Sequence, residues 1–135
     1  MAVLLIAEDD VDVRVLLERV FVRAGFTVLT APDGAAALDL LRSEPVDVVL
    51  TDLDMPRMDG LELCAAVRRD RRVADIPVAV LSGGIQPGDP RIAGAQLCGV
   101  LLKPFANKAL VAAVRRLADA GPHPHGDGSS CPPLG

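Results

Sequence analysis

"VDVVLTDLDMP" runs from Val46 to Pro56. Its first half is rich in β-branched residues and almost continuously apolar, as a strand buried on both faces should be. It then ends on two carboxylates, Asp52 and Asp54, with one residue between them. Two negative charges at the mouth of a hydrophobic strand are costly unless something positive sits beside them. The apolar half bears on the fold, and the acidic end marks where chemistry belongs.

Working outward, four similar runs appear: "VLLIA" (Val3 to Ala7), "FTVLT" (Phe26 to Thr30), "VAVLS" (Val78 to Ser82) and "GVLLK" (Gly99 to Lys103). With "VDVVLT" (Val46 to Thr51) they make five candidate strands. Helical patterns separate most of them. Val13, Leu16, Leu17, Val20, Phe21 and Ala24 recur at helical spacing, and Gly25 follows as a stop signal. Ala36, Ala37, Leu40 and Leu41 form a second stripe, Leu61, Ala65 and Val67 a third, and Leu110, Ala113, Val114 and Leu117 the last. The segment "GGIQPGDPRIAGAQL" carries two Pro and several Gly, so a short or irregular helix is expected there, from Pro90 to Gln96. Strand–helix alternation predicts an α/β fold, a parallel sheet with helices on both faces. In such folds ligands bind beyond the carboxyl ends of the strands.

The chain of 135 residues suits one domain. It has no Trp or Tyr and three Phe, so Val, Leu, Ile and Ala must build the core. A net charge of −4 argues against a DNA-binding surface or an anionic-membrane anchor. Cys64, Cys98 and Cys131 are odd in number and lack metal spacing, which suits a reducing, cytoplasmic setting. The apolar stretch in "MAVLLIAEDD" is six residues long, too short for a signal peptide or a membrane span. Twelve Arg accompany two Lys, Lys103 and Lys108, so a lysine here reads as a more specific choice than usual. From Gly121 to Gly135 eight of fifteen residues are Gly or Pro, and residues 121–135 are expected to be a disordered tail behind a domain of residues 1–120. His123, His125 and Cys131 in that tail read as unstructured sequence rather than metal ligands.

Strand one is followed by Glu8, Asp9 and Asp10; strand three by Asp52 and Asp54; strand four ends in Ser82 before Gly83 and Gly84; strand five ends in Lys103 before Pro104. The predicted ligand edge thus gathers five carboxylates, a hydroxyl and an ammonium. Such carboxylates must either rise in pKa or bind a cation. An oxygen-only donor set selects a hard ion, and Mg²⁺ fits best. Beside it a carboxylate can attack phosphorus and form an aspartyl-phosphate. Lys103 would balance charge on the phosphoryl group, Ser82 would donate to one of its oxygens, and the glycines would let the next loop approach.

Each residue also has a plainer reading. Asp10 is well placed to cap the first helix. Glu8 and Asp9 suit a helix N-terminus, Asp52 and Ser82 suit turns, and Lys103 could be solvated. Taken together these readings are poor, because four strands would each have to end on the right group by chance.

On "LLIAEDD", "VDVVLTDLDMPRMDGLEL", "IPVAVLSG" and "GVLLKPF" the chain resembles a bacterial response-regulator receiver domain over about residues 2 to 120. The resemblance implies a doubly wound, flavodoxin-like parallel sheet of five strands, order 2-1-3-4-5, with five helices. It implies Asp52 as phosphoacceptor, Glu8 and Asp9 as the acidic pair holding Mg²⁺, Asp54 at the position whose backbone carbonyl ligates the metal, Ser82 as the switch hydroxyl and Lys103 as the site lysine. Pro104 matches a proline often in a cis peptide. The implied partners are a sensor histidine kinase or phosphotransfer protein and a downstream protein, with signalling by protein contact, no nucleic acid and no membrane. A homodimer through the face of the family's fourth helix, fifth strand and fifth helix is a further expectation. The chain departs from the family at Val100, where an aromatic residue often swings inward on phosphorylation.

Two other functions stay open on sequence. "DLDMP" matches the D-x-D start of haloacid-dehalogenase-type phosphatases, though those enzymes carry it after the first strand. A phosphorylation-independent docking module of the same fold is the other; the complete set of site residues speaks against it and Val100 for it. With no output domain after residue 120, the expectation is a single-domain regulator rather than an enzyme.

Overall fold

The structure is a computed structural model and describes residues 2–83, 90, 97, 99–103 and 106–121. Its elements in chain order are β1 (Val3–Ala7), α1 (Val11–Arg23), β2 (Thr27–Ala31), α2 (Gly34–Ser43), β3 (Val48–Asp52), α3 (Gly60–Arg69), β4 (Val78–Ser82), β5 (Gly99–Leu102) and α4 (Asn107–Ala120). The five strands form one parallel sheet in the order β2-β1-β3-β4-β5, as expected.

The apolar runs are buried on both faces because alternate residues feed two cores. Leu4, Ile6, Val48, Leu50, Ala79 and Leu81 point to one side and pack with Leu17 and Phe21 of α1 and Leu110, Val114 and Leu117 of α4. Leu5, Ala7, Val49 and Val78 point to the other, against Ala37 and Leu41 of α2 and Leu63, Cys64 and Val67 of α3. Phe21 and Phe26 meet edge to face at 5.4 Å within the first core.

Helix starts follow the aspartates. Asp10 caps α1 by accepting from the Val13 N–H, Asp33 caps α2 from Ala36, and Asp59 and Glu62 form a reciprocal capping box on α3. Gly25, the predicted stop of α1, takes a φ of +99°.

Strand boundaries differ from the sequence reading in three places. β2 begins at Thr27 rather than Phe26, whose ring turns into the α1 core. As an edge strand, β2 is half-exposed along most of its length. β3 begins at Val48 rather than Val46, because Asp47 lies in the incoming loop and accepts from the Val3 N–H, and it runs on to include Asp52. β5 stops at Leu102, leaving Lys103 just beyond it. Most of the expected Pro90–Gln96 helix, the tail beyond Gly121, and Gly84, Cys98, Pro104, His123, His125 and Cys131 lie outside the described residues. Among the described residues no helix is long and apolar enough to cross a membrane.

Candidate functional site

Register builds the site. Ala7 pairs with Thr51, so Glu8 and Asp52, one residue further along parallel strands, emerge side by side. Asp52 pairs with Leu81 and Ser82 with Leu102, which brings Ser82 and Lys103 to the same edge. The Lys103 N–H donates to the Ser82 carbonyl at 2.9 Å, and the Leu53 N–H to Leu81. The predicted residues of four strands thus converge at the carboxyl ends of β1, β3, β4 and β5.

Carboxylate oxygens of Glu8, Asp9 and Asp52 all lie within 4.8 Å of one another. Lys103 Nζ donates to Asp52 Oδ1 at 3.1 Å. Glu8 is 2 % exposed, Asp52 8 % and Ser82 1 %, whereas Asp9 is exposed. The Asp10 N–H donates to Glu8 Oε1 at 3.1 Å. Glu8 Oε2 is buried and has no hydrogen-bond partner among the described residues. Asp54 is exposed, and its carboxylate is not part of the cluster. Asp10 spends its side chain on the α1 cap.

Burial pushes the Glu8 carboxyl up to about 7, helped by the Asp52 charge and opposed by the Asp10 N–H and by Lys103. Burial also raises Asp52, against the hydrogen bond and charge of Lys103, which lower it. The pocket therefore holds more negative charge than one ammonium neutralises. A divalent cation fits this donor set: three carboxylates, no nitrogen or sulfur ligand, and one buried oxygen with nothing donating to it.

The loop after β3 is pressed onto the site. Gly60, the first residue of α3, donates its N–H to Leu53, and a Cβ there would lie 2.5 Å from the Asp52 carbonyl oxygen. Only a residue without a side chain permits this approach.

The profile of the response regulator receiver domain family matches residues 4–115. The chain belongs to this family. The receiver domain is 40% identical over 116 residues to "Response regulator MprA" of Mycolicibacterium vanbaalenii, covering 84% of this chain and 49% of that protein. It is 37% identical over 113 residues to "Probable transcriptional regulator ycf27" of Guillardia theta, covering 82% of this chain and 43% of that one. The chain thus spans about half the length of these curated relatives. Among solved structures it is similar to chemotaxis response regulator CheY4 of Vibrio cholerae, with a TM-score of 0.81 and 30% identity over 87% of this chain and 98% of that one. A putative response regulator from Chloroflexus aurantiacus gives a TM-score of 0.78 at 33% identity, with 87% and 98% covered. The fold is thereby the flavodoxin-like receiver fold, and the role of the domain lies in two-component signalling. The phosphatase reading of "DLDMP" has no place in this family.

Val100 of the receiver domain packs against a small cluster of Leu53 and Val80, together with Leu61 and Leu97. Two further contacts escaped the sequence reading. Arg14 donates to the Glu8 carbonyl at 2.9 Å, and Arg57 pairs with Asp33 at 2.9 Å. Neither had a signal, because a long surface arginine reads the same whether it is solvated or paired.

Proposed function

We propose that the chain is the phosphoacceptor of a two-component relay, taking a phosphoryl group on Asp52. One observation carries this: Asp52 is a buried carboxylate crowded by Glu8 and Asp9 yet held by Lys103. Glu8, Asp9 and Asp52 would hold Mg²⁺, with the backbone oxygen of Asp54 completing the protein ligands. Bound there, Mg²⁺ supplies the positive charge that lets a phosphoryl group enter an acidic pocket.

An Asp52 oxygen attacks phosphorus, and the new O–P bond forms as the bond to the donor breaks. With a histidine kinase or phosphotransfer protein as donor, the broken bond is P–N and the leaving imidazole takes up a proton. Lys103, free to turn from the consumed carboxylate oxygen, meets the new charge on the phosphoryl group. Ser82, at the end of β4, donates its hydroxyl to a phosphoryl oxygen. The signal leaves by protein contact, to a downstream protein or a second copy of the chain. Residues 1–120 form the receiver unit, and the Gly/Pro-rich remainder is a tail; the relay role places the protein in the cytoplasm.

Intact-protein mass after incubation with Mg²⁺ and acetyl phosphate tests this. The wild type is expected to gain a single phosphoryl group, and neither an Asp52→Asn variant nor a metal-free sample should. The absence of any adduct in rapidly quenched samples rejects the reading and favours the phosphorylation-independent docking module.

A further inference from the structure

We propose that Arg57 and Asp33 are a positioning pair that holds the β3–α3 loop in its cation-binding shape; this rests on the phosphoacceptor reading above. The starting point is an irregular backbone. Arg57 has a φ of +67°, the one positive value at a non-glycine among the described residues. The Met58 N–H donates to the Pro56 carbonyl at 2.7 Å across it. Together these define a γ-turn of the rare, positive-φ kind, which is strained for a residue with a side chain. Strain of this sort persists only where the surroundings over-determine it, and it gathers at functional sites.

The surroundings here are named. Asp33 is buried, and its carboxylate is used on both oxygens: Oδ1 accepts from the Ala36 N–H at 2.8 Å, and Oδ2 from Arg57 Nη2 at 2.9 Å. The cap fixes the orientation of Asp33, so Arg57 is drawn to a rigid acceptor. The turn is also wedged sterically, since a Cβ on Gly34 would lie 2.7 Å from both Met58 Cγ and the Met58 carbonyl oxygen. The loop is thus pinned to the start of α2 on one side and, through Gly60, to the Asp52 backbone on the other. Asp54 lies between the two pins. Without the pair, no other ion pair among the described residues would hold the strained turn, and the backbone around Asp54 could relax away from the cation.

An exposed ion pair ordinarily contributes little, and the Arg57 side chain is 75% exposed. Asp33 differs in being 7% exposed at its side chain and locked by the cap. The pair acts by choosing one loop conformation, which is how outer partners of metal ligands act generally.

The sign of the effect gives a sharp test. Removing Arg57 deletes a positive charge near an acidic site, so electrostatics alone would tighten Mg²⁺ binding. A positioning role predicts the opposite. Mg²⁺ affinity of the full chain, measured by calorimetry, is expected to weaken roughly tenfold in Arg57→Ala. Arg57→Gly, which relieves the strained φ, is expected to weaken it similarly. In an Asp33→Asn background, which keeps a cap acceptor, Arg57→Ala should produce no further loss. Unchanged or tighter binding in both Arg57 variants, or fully additive losses in the double variant, overturns the positioning role while leaving the phosphoacceptor reading intact. A wild type that neither binds Mg²⁺ nor gains a phosphoryl group from acetyl phosphate overturns both.

Discussion

Lys103 Nζ stands 3.1 Å from Asp52 Oδ1, joining groups 51 residues apart at the rim of the sheet. The contact opposes what burial does to Asp52: burial raises its pKa and the ammonium lowers it. The upward effect prevails, so in the metal-free protein the charged form of Asp52 is a cost to folding.

It follows that Asp52→Asn stabilises the metal-free protein, while Lys103→Met destabilises it. Water reaches Lys103, which is 35% exposed, so the loss for Lys103→Met is about 1 kcal/mol. In an Asp52→Asn background the same Lys103→Met substitution is expected to cost less, because the charge that Lys103 hydrogen-bonds is gone and only its longer-range effect on Glu8 remains. Urea unfolding of the four proteins measures the cycle, and equal losses in both backgrounds would contradict it.

Glu8 makes stability depend on pH. Its folded value of about 7 lies above the ordinary carboxyl value of 4.5. Between these values the folded protein keeps a proton that the unfolded chain has released. The contribution is therefore fully present below the unfolded value and is lost as pH rises through about 7. The loss is of the order of 2–3 kcal/mol in metal-free protein. Glu8→Gln should flatten this slope, and saturating Mg²⁺ should offset the loss at high pH, since the cation competes with the proton. Thermal unfolding between pH 4 and 8 with and without the metal reads both effects; a metal-free slope of the opposite sign would show that Glu8 is not held neutral.

Gly60→Ala places a methyl group 2.5 Å from the Asp52 carbonyl oxygen and 3.1 Å from Leu53 Cα. Both are backbone atoms, so strand β3 or helix α3 must shift. The expected cost is about 1–3 kcal/mol, with slower phosphoryl uptake because Asp52 itself moves. Unfolding and intact-mass measurements on one sample check the two together. Wild-type uptake in a destabilised variant would show that the shift is taken up by α3 alone.

Val100 offers a contrast. Its side chain meets the Leu53–Val80 cluster rather than the carboxylates. Val100→Ala is expected to cost about 1 kcal/mol through lost apolar burial and to leave the rate of phosphoryl uptake unchanged. A fall in that rate, measured by mass against time, would tie this cluster to the chemistry.

Much of the protein was legible along the chain. Strand and helix periods are local properties, so five strands and their order of alternation with helices could be read from apolar spacing, and Asp10 could be assigned to a cap. The chemistry-bearing residues were legible too, because a parallel sheet delivers strand ends to one edge whatever the details of packing. The boundaries of β2 and β3 were not, since Phe26 and Asp47 are placed by partners distant in sequence, the Arg115 guanidinium over the Phe26 ring and the Val3 N–H.

The acidic residues show the division most clearly. By itself the sequence determined that Glu8, Asp9, Asp52 and Asp54 stand at strand ends, and resemblance alone told Asp52 from Asp54, while Glu8 and Asp9 read as an equal pair. Only the tertiary structure gave them different surroundings, burying Glu8 and Asp52 beside Lys103 while leaving Asp9 and Asp54 in water. The same holds for Arg57 and Asp33, whose pairing depends on how the β3–α3 loop meets the start of α2. The physical reason is that period and composition are carried by neighbours in the chain, whereas burial, pKa and ion pairing depend on which neighbours the register of the sheet supplies.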